Sequence, residues 1–600
     1  MRYGLWLVVL HLTGAAAPAC GQAPRLQAPV ERVLKEEGLV GAVWSTVHPE
    51  RGIQVGAAGR ADARRPLAAT SRVQVGSVAK TLAAVGMLRL VREGRVALDG
   101  RVDVLLPDVR IDNPWADTHP LRVRHLLDHT AGLDDARLWQ IFSREAAPDA
   151  PLGAAFPRAS PPLRLRTRPG TRFSYSNTGY TLLGMIIEAA TGERYESYLD
   201  RHLLQPLGMT NSTFRFVSQA ADPRLAMGHF EDSVPQASVP LFLRPASQFT
   251  TTAGDMARFA EFLMGDGKTG GVQVAGAELL RAMGTPASTE AASAGLRAGY
   301  GLGLGRRDRQ GTVGLCHSGN TVGYHAMLCI YPQERKAFFV SANADVEDAE
   351  YDRLDRILTD ALGVRRTTPA PASRTALELA EWEGIYVPSP SRFASFAYLD
   401  VVLGFAALRH AGGSLHLTPF QGRARELIPA GGALFRRGDR TAPSHALFLD
   451  TDGARALSDG NQTYEKIGRW CIVPLWISAA GGVLGLVYLL VAGLARIARR
   501  SLTPGHPVFA PFAGVLLLIA AAALFMRQSL LHLGDSTLAN VSLAAATGAL
   551  PLALLFGLWR QRASRRRGLS ATLDAFAMAG VLQWAAVLAW WNLVPLRLWA

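Results

Sequence analysis

The chain has 600 residues, too many for one hydrophobic core, so two or more domains are expected. Its hydrophobic content of 49% points to a globular protein with membrane spans, and four cysteines exclude a disulfide scaffold. A formal net charge of +14 suggests a nucleic-acid partner, but much of the excess sits in two arginine clusters beside apolar runs, Arg496, Arg499 and Arg500, and Arg560, Arg562, Arg565, Arg566 and Arg567. Membrane topology accounts for these clusters, and with no recognisable nucleic-acid motif no such partner is expected.

The chain opens with Met1-Arg2, an apolar run at residues 5–12 and then Ala17-Pro18-Ala19, which reads as a secretory signal over residues 1–19. Cleavage would free Cys20. Ala17-Pro18-Ala19 is a poor lipoprotein box, so ordinary cleavage is expected, with lipidation of Cys20 left open. Residues 38–59 alternate as two strands around the turn Pro49-Glu50-Arg51-Gly52. A short extended approach at residues 71–75 then leads into Gly76-Ser77-Val78-Ala79-Lys80 and a mostly apolar helix.

Ser77 at a helix N-terminus feels the positive end of the macrodipole, and Lys80 lies about one turn on, on the same face. A buried lysine there would have a lowered pKa and could share the serine's proton. The chain has only five lysines, Lys35, Lys80, Lys268, Lys336 and Lys466, in a basic complement of 63. An ordinary N-cap serine followed by a solvated lysine would give the same pattern, but lysine can act as a base where arginine effectively cannot.

Downstream, His125 and His129 have the i,i+4 spacing that can hold zinc, but no glutamate lies between them and a packed helix is the expected reading. Pro169-Gly170-Thr171-Arg172-Phe173-Ser174-Tyr175-Ser176-Asn177 reads as a loop before an apolar helix at residues 180–190. Tyr175 and Asn177, two apart, would point the same way in an extended loop; a tyrosine near a lysine can serve as general base, and an asparagine offers a donor and an acceptor. A third marker, Cys316-His317-Ser318-Gly319-Asn320-Thr321-Val322-Gly323-Tyr324, lies between strand patterns at residues 300–304, 326–331 and 337–341. Gly319 would let a substrate backbone approach the strand edge closely, and His317 would bring a tunable charge. Cys316 and Cys329 could face each other across the hairpin or be two free thiols.

Together the three markers resemble the serine β-lactamase and penicillin-binding protein superfamily, with the class C β-lactamase, esterase and D-aminopeptidase branches as the nearest look-alikes. The resemblance extends over residues 29–364 and includes Pro206-Leu207-Gly208-Met209 and Tyr300-Gly301-Leu302-Gly303. It implies that Ser77 is the acylated nucleophile, Lys80 its partner, Tyr175 a sharer of the general-base role and Asn177 a group that orients the substrate amide. His317, Ser318 and Gly319 would form the third box, with the backbone N–H groups of Ser77 and Asn320 as the oxyanion hole. One departure stands out: family β-lactamases carry Lys-Thr-Gly in that box. The literal Lys268-Thr269-Gly270 of this chain sits in a glycine-rich loop with no strand before it and reads as a decoy. A histidine in the box resembles the esterase and D-aminopeptidase relatives.

A helix at residues 351–362 should close a catalytic domain spanning 25–365, followed by a linker at 366–374. Strand patterns near residues 383–387, 414–418, 425–429, 446–449 and 463–467 suggest a small β-barrel module at 375–468, in which Asp450 and Asp452 read as a turn rather than a calcium loop. Apolar runs at about 470–494, 507–526, 538–559 and 573–595 complete a membrane region at 469–600. The expected architecture is therefore α+β: a β-lactamase/transpeptidase-like antiparallel sheet flanked by helices, the barrel, and four transmembrane helices. The arginine clusters put the first and third connections in the cytoplasm and both soluble domains outside a bacterial inner membrane, the orientation a cleaved signal also gives.

The function expected is that of a serine hydrolase cleaving an ester or amide in a small-molecule or peptide substrate, cell-wall fragments included, with no cofactor and no metal. The alternative is a pseudoenzyme, a sensor of cell-wall fragments that signals through its spans.

Overall fold

The turn residues Pro49-Glu50-Arg51-Gly52 reverse the chain, Gly52 taking a positive φ of 65°, and strands Gly41–His48 and Gly52–Gly59 pair antiparallel across them. The computed structural model describes residues 21–22, 24–157, 163–369, 371–375, 377–564 and 566–599. The expected signal segment 1–19, Cys20, Ala370 of the linker and Arg565 lie outside these residues.

That hairpin belongs to an eight-stranded sheet. Its spatial order is Gly21–Gln22, Gly52–Gly59, Gly41–His48, Lys336–Ala342, Tyr324–Tyr331, Thr312–Thr321, Gly305–Arg309 and Gly299–Tyr300. All neighbours run antiparallel except the first pair. Successive side chains point to opposite faces, and both faces are covered. Trp44, Met327 and Phe338 pack under helices Pro24–Glu36 and Asp352–Leu362, while Val43, Leu328 and Phe339 face a larger helical layer. That layer holds helices Ala79–Arg92, Asn177–Thr191 and Ala253–Leu263. Ala79–Arg92 is buried on nearly every side, as its apolar composition requires. Two expected elements differ. The strand pattern at 300–304 breaks after Tyr300, because Gly303 takes a φ of 105° and a Cβ on Gly301 would meet backbone of Met283 and Thr285 at 2.6 Å. His129 lies beyond its helix, Val123–Leu127, at a φ of 59°.

Cys316 and Cys329 are directly paired across two strands and joined by a disulfide, with Cα atoms 4.1 Å apart.

The second module is a closed antiparallel barrel of eight strands, Gly384–Pro388, Ala406–Ala411, Ser414–Pro419, Arg425–Gly431, Leu434–Arg437, His445–Leu449, Arg455–Ser458 and Thr463–Ile467. Its first and last strands close it through Ile385 and Ile467. Three strands lack a sequence signal: Ala406–Ala411 and Arg455–Ser458 are built mainly from alanine, arginine and other weak strand formers, and in Leu434–Arg437 two arginines follow Leu434 and Phe435 at once. The Asp450–Asp452 turn is pinned to the first domain: Asp450 pairs with Arg172 at 2.5 Å and Asp452 with Arg168 at 2.8 Å. The arginines come from the loop that carries Tyr175, so the barrel holds that loop in place.

Four apolar helices follow, but the expected count of four spans is not met. Arg469–Ala498, Leu538–Ala563 and Leu569–Trp590 are long and apolar enough to cross a membrane. Phe509–Phe525 has 17 residues, short of the ~20 that a bilayer core takes. The first and last helices run antiparallel, with Ser478 bonded to Gln583 (2.7 Å) near one end and Arg496 to Asp574 (2.9 Å) near the other. Small residues permit the approach: a Cβ on Gly482 would strike Trp584, and one on Gly485 would lie 2.6 Å from Ala577 O.

Both soluble modules meet one end of this helix group. Trp584 Nε1 donates to the Tyr398 hydroxyl of the barrel (3.2 Å), and Trp476 packs edge-on to Phe420 at 5.0 Å. In the connection between the second and third helices, Gly534 N donates to Phe142 O (2.7 Å), and the buried Asp535 accepts from Ser143. The other two connections meet at the opposite end, where Arg560 donates to Gly505 O (2.9 Å) and Arg496 to Ser570 (3.0 Å).

Candidate active site

Gly76 takes a φ of 52°, and a Cβ there would lie 2.8 Å from Asn320 N, so the chain turns into its helix only where a glycine stands. A single 3-10 turn, Gly76–Val78, follows and runs into Ala79–Arg92. Ser77 thereby sits at the head of a buried helix with Lys80 one turn inside. Lys80 is fully buried, and its Nζ lies 2.9 Å from Ser77 Oγ, 2.6 Å from Asn177 Oδ1 and 2.8 Å from Ala246 O. Burial drives its pKa well below the ordinary lysine range; the Asp135 carboxylate opposes that shift and Arg392 reinforces it. As a neutral amine Lys80 would donate two hydrogens to the two carbonyl acceptors and keep a lone pair for the Ser77 hydroxyl.

Asn177 is the first residue of helix Asn177–Thr191 rather than part of a loop, because Ser176 caps that helix by accepting from Gly179 N at 3.0 Å. Both ends of its amide are engaged: Oδ1 with Lys80, and Nδ2 donating to Asp135 Oδ1 at 2.6 Å. Asp135 also accepts from Asn177 N (2.8 Å), and Arg392 of the barrel module donates to its other oxygen at 2.6 Å. Tyr175 lines the cleft beside Ser77, its ring lying between the Lys80 amine, with Nζ at 4.8 Å, and the Arg392 guanidinium, at 4.7 Å from the centroid. Burial pushes its phenol well above the ordinary range, so at rest it is protonated.

Across the cleft, strand Thr312–Thr321 passes the helix start so closely that a Cβ on Gly319 would lie 2.1 Å from Val75 O and 2.6 Å from Ser77 N. The Ser77 and Asn320 amides therefore lie side by side, with the Asn320 side chain held to Asp345 at 3.4 Å. His317 differs from the ordinary titrating histidine that the sequence suggests. Burial lowers its pKa to about 3, and Nδ1 donates to Ser318 O at 2.6 Å. Its only N–H is thus spent within the protein, and Nε2 remains a buried, unpartnered acceptor. The Tyr300 ring stands edge-on to it at 5.6 Å.

All eight residues singled out in the sequence, Ser77, Lys80, Tyr175, Asn177, His317, Ser318, Gly319 and Asn320, fall at this place, and all but the deeply buried Lys80 line one cleft of about 1370 Å³. Lys268 does not line it; it sits exposed in a two-residue strand, Lys268–Thr269, paired with Val272–Gln273. The two candidate zinc histidines serve separate backbone contacts: His129 Nδ1 accepts from Ser176 N (3.1 Å) and His125 Nδ1 from Arg122 N (3.2 Å). Asp135, Arg392 and the Ala246 carbonyl carry no sequence signal, since none stands at a fixed offset from Ser77 or Tyr175.

A beta-lactamase family model matches residues 26–362. Penicillin-binding protein 4 of Amycolatopsis lactamdurans is 29% identical over 336 residues, 52% of this chain and 84% of that one. Esterase EstB of Burkholderia gladioli is 31% identical over 239 residues, covering 38% and 59%. Among solved structures, the D-amino acid amidase of Ochrobactrum anthropi SV3 in complex with L-phenylalanine aligns over 56% of this chain and 97% of its own, with 22% identity and a TM-score of 0.47. Because the family match spans more than half of the 600 residues and contains the whole serine–lysine site except Arg392, the chain belongs to the beta-lactamase family of serine hydrolases.

Proposed function

We propose that this protein is a membrane-anchored serine hydrolase that cleaves an ester or amide through an acyl-enzyme on Ser77, working on the outer face of a bacterial inner membrane. The observation that carries the reading is the buried Lys80, 2.9 Å from Ser77 Oγ with its pKa driven down. Ser77 Oγ bonds to the substrate carbonyl carbon as its proton passes to Lys80. The oxyanion rests on the Ser77 and Asn320 amides. The bond to the leaving group then breaks, and the proton reaches that group through Lys80 and the Tyr175 phenol. Water attacks the ester so formed, releasing the acid and returning a proton to Ser77.

Small esters, D-amino-acid amides and peptidoglycan stem peptides are the proposed substrate class, in keeping with the names of the penicillin-binding, esterase and amidase relatives. His317 narrows it. A neutral imidazole that presents only an acceptor cannot hold a substrate carboxylate as a lysine would, so penicillins should be poor substrates. Intact mass spectrometry of the full chain in detergent, against a panel of esters, D-amino-acid amides and penicillins, tests both points. The expected result is an adduct on Ser77 with esters or amides, a slow one with penicillins, and none in Ser77→Ala. Equal reactivity of Ser77→Ala would sink the hydrolase. Saturable binding of cell-wall fragments without any adduct would favour the sensor.

A further inference from the structure

The cleft that holds Ser77 is walled by three parts of the chain, and one of them is the membrane region. On one side of the nucleophile its lining is charged, with Arg306, Arg309, Arg437 and Arg440 from the sheet edge and the barrel. On another it is apolar: Phe142 and Leu243 from the catalytic domain, Phe393 and Phe396 from the barrel, Leu530 and Leu531 from the connection between two apolar helices. Leu243 precedes the short helix Arg244–Ser247, whose Ala246 carbonyl bonds Lys80, so this apolar wall begins beside the reacting groups. It ends at the connection between helices Phe509–Phe525 and Leu538–Ala563, the second of them long and apolar enough to cross a membrane. Leu530 is 45% exposed, four residues before the Gly534 that bonds Phe142 O. Phe396 directly precedes helix Ala397–Leu403, whose Tyr398 meets Trp584 and Trp591 at the end of a membrane helix. Tryptophan and tyrosine at such an end mark the headgroup level of a bilayer.

We infer that the substrate is an amphiphile anchored in the bilayer by a long hydrocarbon chain, which runs from the lipid past Leu530 and Phe396 to Ser77 while its polar part lies towards the arginines. This rests on the Ser77 hydrolase reading and names its substrate class. A water-soluble peptide or ester would gain nothing from an apolar passage ending at the membrane, whereas each methylene buried there adds binding.

The test uses the full chain in lipid nanodiscs with two fluorophosphonates, one with an ethyl and one with a dodecyl chain. Ser77 Oγ forms a bond to phosphorus, fluoride leaves, and the serine proton is taken up by Lys80. A tetrahedral phosphonate can seat its chain on either side of the nucleophile, so the readout does not depend on which half of the substrate carries the chain. The quantity read is the ratio of dodecyl to ethyl labelling rates. In wild type it should exceed one, and in Leu530→Ser and in Phe396→Ser it should fall about tenfold. Partition of the dodecyl probe into lipid and any partial misfolding cancel in the comparison of ratios between variants. Val104→Ser, an exposed apolar position remote from the cleft, should keep the wild-type ratio. An unchanged ratio in both variants, or ethyl labelling with no chain preference in wild type, overturns the amphiphile inference alone. No labelling of Ser77 by either probe overturns the hydrolase reading and this inference with it.

Discussion

Lys80 sits between opposed influences. Loss of water drives its ammonium towards the neutral amine, the Asp135 carboxylate draws the charge back, and Arg392 opposes it. The histidines and phenols around it, His129, His317, Tyr175 and Tyr180, are held neutral by burial and do not change charge near pH 7. A rate that needs neutral Lys80 therefore rises with pH through the Lys80 pKa. Asp345, which burial raises to about 6 beside Asn320, titrates in the same window but keeps its surroundings when Arg392 is changed. Replacing Arg392 by glutamine removes a nearby positive charge and leaves Asp135 without its counter-ion; both changes raise that pKa. The acid limb of the pH–rate profile of Arg392→Gln should accordingly move to higher pH, while the rate on the high-pH plateau is better preserved. Labelling rates with a fluorophosphonate between pH 5 and 9 give the measurement, and an unmoved acid limb would leave Arg392 with a purely structural part. Ser77, Lys80, Tyr175, Asn177 and His317 stand out in the sequence because the three motifs that hold them, taken together and in order, resemble the family's boxes; the spacing within each motif leaves a packed, structural reading open. Arg392 is not, since it meets Asp135 across 257 residues and two modules. The His317 tautomer is equally hidden, being set by one backbone carbonyl.

At the scale of elements, the site depends on one strand lying flat against one helix start. Gly76 and Gly319 face each other there, and each is closed off by backbone rather than by a movable side chain. Gly319→Ala would place a methyl 2.1 Å from Val75 O and 2.6 Å from Ser77 N, so strand and helix must part by about an ångström or more. That parts the Ser77 and Asn320 amides too. The expected cost is about 100- to 1,000-fold in acylation rate, the range for losing one oxyanion donor. The sheet's remaining buried strands should keep the thermal transition close to wild type. A variant that acylates at the wild-type rate would show that these two amides do not hold the oxyanion. In the sequence Gly319 reads as the place where a substrate backbone comes close; in the structure the protein's own chain at Val75 and Ser77 fills that space, a contact between segments far apart in sequence. The same limit hid three barrel strands, where local propensity is weak and closure of the barrel supplies the order.

Over the whole molecule, the contacts divide the C-terminal apolar helices into two unlike ends. The end with Trp476, Trp584 and the connection at 527–537 touches both soluble modules, and Asp535 there is buried against Ser143 and His532. The other end gathers Arg496, Arg499, Arg500, Arg560, Arg566 and Arg567, with Arg496 paired to Asp574. Arginines favour the cytoplasmic side, and among the described residues only helix connections are attached at their end, which supports the proposal that the soluble modules lie on the outer side. The short helix Phe509–Phe525 does not disturb this assignment, because Leu538–Ala563 is long enough to cross by itself and joins the two ends. An alkaline phosphatase fused after Asp535 should therefore be active, and one fused after Arg567 inactive, with a fluorescent protein that matures only in the cytoplasm giving the converse. Ser77 would then lie on the side where phosphatase is active. The opposite pattern would place Ser77 in the cytosol and remove cell-wall material from the list of possible substrates.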